Sequence, residues 1–182
     1  DAAGVNATGA IMVEAKEAGV LLDAGGSSAA AQVGHGGFGG NSNVKDLSGM
    51  ISVRADRGTT VGDVEVFAGA GNAFAQIGHG GRDNDGNCNG EIVVVGNKVE
   101  LLDGTGGAAA QIGHGGFRTN GNLGGNIFVN FDPLANGGLG AAVGGGGALR
   151  LISDANGFDS NVQIGHGGVI ANTGSRTGNI VV

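Results

Sequence analysis

Gln76-Ile77-Gly78-His79-Gly80-Gly81 occurs four times in this chain with one conservative change. The other copies are Gln32-Val33-Gly34-His35-Gly36-Gly37, Gln111-Ile112-Gly113-His114-Gly115-Gly116 and Gln163-Ile164-Gly165-His166-Gly167-Gly168. Every histidine of the protein, His35, His79, His114 and His166, lies in this hexapeptide. Recurrence at intervals of several tens of residues marks an array of like units, each needing its neighbours to bury its apolar face.

Two short alternating segments precede each hexapeptide. The first is Gly9–Val13, Gly49–Val53, Gly90–Val94 and Gly125–Val129, and it opens again at Gly178–Val182. The second is Val20–Leu22, Val64–Val66, Val99–Leu101 and Leu149–Leu151. A loop rich in Gly and Asn follows each hexapeptide. Period-two alternation places Ile11, Val13 and Ala15 on one face and Met12, Glu14 and Lys16 on the other. In the second copy Ile51, Val53 and Ala55 face inward and Ser52, Arg54 and Asp56 face water. Val93, Val95 and Phe128 fall on the nominal outer face, which predicts that something covers it there. Thr8–Val13 matches Thr177–Val182, so the chain starts and stops in one phase. Asn136–Ala148, with Gly144–Gly147 in a row, reads as an insertion in the fourth copy.

The repeats are therefore 9–48, 49–89, 90–124 and 125–177, with 178–182 starting a further strand, in a single solenoid spanning 1–182. The predicted fold is all-β, a parallel β-helix or β-solenoid in which equivalent residues align about every 4.8 Å. A propeller is the rival repeat fold, but its blades carry four antiparallel strands and aromatic motifs. One or two coils per repeat both fit the spacing.

Composition agrees. There are 43 glycines in 182 residues, one proline, seven phenylalanines and neither Trp nor Tyr. Gly opposes helix by about 1 kcal/mol per position, which disfavours a helical bundle. Collagen requires Gly at every third position with abundant Pro. At 40% hydrophobic residues the chain is too apolar for a disordered linker. The net charge of −7, with no basic cluster, speaks against nucleic acid as a partner. No apolar run is long enough for a membrane span.

Gly-Asn-Ile-x-Val, then Val-x-Leu, then Ala-Gln-Ile-Gly-His-Gly-Gly resembles the repeats of filamentous haemagglutinin-like large exoproteins, the two-partner-secretion adhesins. The resemblance covers nearly the whole chain. It implies a right-handed β-helix, export to the cell surface or beyond, and a role in adhesion or surface architecture. No secretion-signal domain is visible in the sequence.

Stacked imidazoles at a corner, with glycines permitting close backbone approach, are the expected role of the four histidines. Metal binding is a lesser alternative, because the motif supplies no third or fourth ligand. A catalytic triad needs one asymmetric site, which an identical residue on every rung does not make. Gln32, Gln76, Gln111 and Gln163 are expected to form a second ladder by amide stacking. Asp83, Asp85 and Asn87 place oxygens at alternate positions, as a calcium loop does, but Cys88 and Glu91 depart from the full pattern. An ordinary polar turn is the simpler reading. Cys88 reads as a lone loop thiol, and Asn6-Ala7-Thr8 is one glycosylation sequon. Glu14, Glu17, Glu65, Glu91 and Glu100 read as scattered over different strands, so no paired-carboxylate site is expected. Thr59, Thr60, Thr105 and Thr119 form no ice-binding array.

These features point to a secreted, non-enzymatic structural protein that needs no cofactor. It is expected to be a β-solenoid segment of an extracellular fibre or adhesin, with itself as end-to-end partner and glycans as a further partner class. The alternative is a carbohydrate-binding or carbohydrate-active β-helix.

Overall fold

The computed structural model describes residues 6–38, 46–56, 61–138, 140–142, 148–153, 160–168 and 173–182. Its short strands stack in five parallel sheets that run along one axis. The first sheet holds Ala7–Thr8, Leu47–Ser48, Cys88–Asn89, Leu123–Gly124 and Arg176–Thr177. The second holds Ile11–Glu14, Ile51–Arg54, Ile92–Val95, Ile127–Val129 and Ile180–Val181. The third holds Val20–Asp23, Val64–Phe67, Val99–Leu102 and Leu149–Ile152. The fourth holds Ala30–Val33, Phe74–Ile77, Ala109–Ile112 and Asn161–Ile164, and the fifth Gly36–Phe38, Gly80–Arg82 and Gly115–Phe117. The chain visits each sheet once before returning one rung higher, so each sequence repeat is one coil of a parallel β-solenoid.

The register is in phase throughout. Ile11, Ile51, Ile92, Ile127 and Ile180 are consecutive rungs, as are Val20, Val64, Val99 and Leu149. Their inward side chains merge into one core with Ala75, Ile77, Ala110 and Ile112 of the fourth sheet. Ile51, Ile77, Ile92, Leu101, Ile112 and Ile127 are fully enclosed in the middle coils. In the outermost of the described coils Leu151 and Ile180 are exposed. A second, smaller core consists of Leu47, Cys88 and Leu123 stacked in the first sheet, with Ala7 against it.

Each coil contains more strand than the alternation alone reveals. The hexapeptide is itself extended, ending the fourth sheet and starting the fifth, and the Asn-rich loop carries the two-residue strands of the first sheet. Cys88 is accordingly not a loop thiol. It is a fully buried rung between Leu47 and Leu123.

The second sheet also differs from its pattern. Phe131–Asp132 pairs antiparallel with Ala141–Ala142, and Phe131 stacks on Phe128 at a centroid distance of 5.6 Å. This hairpin is the cover that Val93, Val95 and Phe128 call for, and all three are buried. Strand pairing shows that the insertion begins by Phe131, before Asn136; Gly144–Gly147 lie outside the described residues. Ser52 and Arg54, expected to face water, are buried as well. The Arg54 guanidinium pairs with Asp132 of the hairpin and with Asp56.

A histidine ladder as candidate functional site

The extended Gln-Ile stretch ends the fourth sheet, and the following glycine turns the chain sharply. A Cβ on Gly34, Gly78 or Gly113 would sit 1.9 Å from the carbonyl oxygen of the equivalent glycine one coil further on. Only Gly lets successive corners approach this closely. The corner places each histidine beside its counterpart. Ring centroids are 4.9 Å apart for His35–His79, 4.9 Å for His79–His114 and 5.0 Å for His114–His166, with planes within 7° of parallel. That spacing is the strand spacing of the sheets themselves.

Both ring nitrogens are engaged in the middle of the ladder. The backbone N–H of His35 donates to Nδ1 of His79 at 3.0 Å, that of His79 to His114 at 3.0 Å, and that of His114 to His166 at 3.2 Å. A nitrogen that accepts is unprotonated, so Nε2 carries the hydrogen. Nε2 donates across the coil to the glycine carbonyl preceding the second sheet: Gly9 for His35, Gly49 for His79, Gly90 for His114 and Gly125 for His166, at 2.8–3.1 Å. The imidazole thus ties the end of each coil to its beginning while bonding to the adjacent coil. His79 and His114 are fully buried. Desolvation pushes the His114 pKa down to about 3 and lowers those of His79 and His166; the bond to the glycine carbonyl opposes the shift in each.

The glutamines lie beside this ladder and bond chiefly to backbone. The Gln76 amide donates to the carbonyls of Gly113 and Gly115, both at 2.8 Å, and Gln111 repeats this with Gly165 and Gly167 at 3.0 and 2.7 Å. Gln32 donates to Gly78 at 2.9 Å and to the Gln76 amide oxygen at 3.2 Å. Amide-to-amide stacking is therefore the lesser part of the row, because the glycine corner exposes carbonyls that are nearer.

A further ladder escaped the sequence reading. Asn6 Oδ1 accepts the Asp46 N–H, Asp46 Oδ1 that of Asn87, Asn87 Oδ1 that of Asn122, and Asn122 Oδ1 that of Ser175, all at 2.9–3.0 Å. These residues share a rung position just before the first sheet. Their mixed identity hid them, although Asn, Asp and Ser are the side chains that accept backbone N–H groups at turns.

The remaining candidates are placed as follows. Asn87 belongs to this ladder, Asp83 pairs with Arg82, and Asp85 accepts from Asn120. Among the described residues no group of three His, Cys, Asp or Glu side chains is placed to hold a metal ion. Asn6 is exposed at the start of the ladder. Glu65 and Glu100 are not scattered but adjacent on the outer face of the third sheet. Lys98 lies between them, at 2.9 and 3.3 Å, and Arg150 reaches Glu100 at 2.8 Å. Thr119 is buried, and Thr59 and Thr60 lie outside the described residues.

No protein-family model, curated protein or solved structure matches the chain. The likeness to haemagglutinin-type exoproteins therefore stands on the repeat residues alone.

Proposed function

We propose that this chain is a non-enzymatic structural protein, a β-solenoid segment of an extracellular or cell-surface fibre of the filamentous adhesin type that stacks end to end. The observation that carries the reading is the use of the histidines. In a hydrolase or a metal centre an imidazole must offer a lone pair or exchange a proton. Here the ring nitrogens of His79 and His114 are both bonded to backbone, and the same arrangement repeats rung after rung. Repetition of this kind supports length and stiffness, which are what a fibre requires. The two neighbouring carboxylates, Glu65 and Glu100, are neutralised by Lys98 and Arg150, which suits an outer charged face better than acid–base work on a glycan.

Negative-stain imaging of purified protein, with melting curves recorded against a panel of polysaccharides, tests the reading. Elongated fibres without a glycan-dependent shift are expected. Isolated particles that are stabilised by one glycan, or that degrade it, would favour the carbohydrate-directed alternative.

A further inference from the structure

We infer that fibres of this protein pair side by side, the outer face of the third sheet lying antiparallel against the same face of a second copy. This inference rests on the fibre reading above and adds a lateral partner to it.

Two columns of side chains stand on that face in the second, third and fourth coils. Glu65, Glu100 and Arg150 are successive rungs of one, and Phe67, Leu102 and Ile152 of the other. The three apolar residues are each half-buried. Asp63 and Lys98 flank the charged column. The Lys98 ammonium lies 3.5 Å from Asp63, 2.9 Å from Glu65 and 3.3 Å from Glu100, and Arg150 reaches Glu100 at 2.8 Å. Coil by coil, the charge of this strip is −2 for Asp63 and Glu65, zero for Lys98 with Glu100, and +1 for Arg150. The strip is therefore polar along the fibre axis, acidic toward one end and basic toward the other.

That polarity selects one arrangement of two facing copies. A two-fold axis along the fibre keeps each coil against the like coil. It sets either like charges against each other or the charged column against the apolar one. A two-fold axis across the fibre reverses the order of the coils but leaves each column facing itself. Arg150 then meets Asp63 and Glu65 of the second copy, and the neutral third coils meet in the middle. Phe67 lies against Ile152, and Leu102 against its own counterpart. In a fibre the first coils, with Leu21 and Asp23, face one another either way, so Asp23 does not choose between the two. The antiparallel contact is isologous and closes on itself, so pairing stops at two fibres.

Size decides where the contact operates. Three rungs about 4.8 Å apart, with strands of four residues at about 3.3 Å each, give a strip of roughly 200 Å² per copy. A stable pair of single chains needs about 800 Å² per partner, about four times as much. Isolated chains therefore stay apart. A fibre presents the strip on every copy, and contacts too weak singly become strong when many form together.

Electron microscopy at low salt of the wild type, of Arg150→Glu, of Glu65→Arg and of an equal mixture of the two variants reads the outcome, with circular dichroism confirming that each is folded. Wild-type fibres are expected in pairs. Each charge reversal alone should give single fibres, because like charges then meet where Arg150 faced Glu65. The mixture should pair roughly ten-fold more often than either variant alone, since position 65 of one then meets an opposite charge at position 150 of the other. Raising salt from roughly 50 mM to roughly 500 mM should separate wild-type pairs with no substitution at all. Wild-type fibres that stay single at low salt, pairs that survive both reversals and high salt, or a mixture that pairs no better than its components would overturn the inference. Fibres that are single in every sample would leave the fibre reading standing and remove only the lateral contact; a wild type that forms no fibre removes both.

Discussion

The backbone N–H of His79 points at Nδ1 of His114, 3.0 Å away, while Nε2 of His114 donates to the Gly90 carbonyl at 2.9 Å. Protonating Nδ1 would set a donor against a donor in a dry interior. Folding therefore holds His114 neutral, with its pKa lowered to about 3, and lowers that of His79 too. The unfolded chain takes up protons below about pH 6.5. Stability should consequently fall as pH drops from there toward 3, by roughly 1.4 kcal/mol per pH unit on account of His114, with His79 adding in the same direction. Urea titrations between pH 7 and 4.5 should show this slope, and the His79→Gln/His114→Gln variant should lose most of it. Nitrogen-detected NMR at pH 5 should find the Nε2–H tautomer at both sites; a protonated Nδ1 would contradict the ladder geometry.

Glycine at the corner is demanded by a neighbour's backbone and not only by its own torsion. Gly78→Ala places a Cβ 1.9 Å from the Gly113 carbonyl oxygen, which has no room to retreat. Gly25 also has a positive φ, 66°, but nothing lies within 4 Å of its Cβ position. Gly25→Ala should cost about 1 kcal/mol of conformational strain. Gly78→Ala should cost several times more by denaturant unfolding. Similar losses at both sites would show that the coils can separate at the corner.

Adjacent residues report the register of the second sheet. Ile92 is fully enclosed between Ile51 and Ile127, so Ile92→Asp introduces an unpaired carboxylate and should destabilise by at least about 4 kcal/mol. Glu91 is half-buried, and desolvation together with Asp132 already raises its pKa. Glu91→Ser should change stability by less than about 1 kcal/mol. Equal melting shifts would mean that the strand faces are reversed.

Cys88 offers a chemical probe of the second core. Burial pushes its thiol up to about 11, and the sulfur is closed in by Leu47, Leu123 and the Asn84 amide. The native protein should resist alkylation at pH 8 and react fully in denaturant, as thiolate chemistry requires both access and ionisation. Rapid alkylation of folded protein would place the residue at the surface, where an intersubunit disulfide becomes feasible.

The solenoid was legible because its deciding residues are invariant. Gln76 and His79 recur as the same residue types on each rung, and the alternation of Ile51 and Val53 identifies a face. Other parts depend on contacts that no local pattern encodes. Arg54 looks solvent-facing until Asp132, far along the chain, folds over it. Cys88 sits in a strand of two residues, too short for alternation to register. The Asn6, Asp46, Asn87, Asn122 and Ser175 row conserves an acceptor atom while the residue changes, so only the superposed coils expose it. Glu65 and Glu100 seemed unrelated because rung partners are separated by a whole coil.

Rungs 4.9 Å apart, like residues in register and stacked side chains are also the attributes of amyloid. In amyloid, flat dry faces laminate without limit. Here Phe131 and its hairpin occupy the outer face of the second sheet, and the ion-paired Glu65, Lys98, Glu100 and Arg150 keep that of the third charged. The hairpin thus covers an outer face that would otherwise offer an apolar surface for sideways sheet-on-sheet contact.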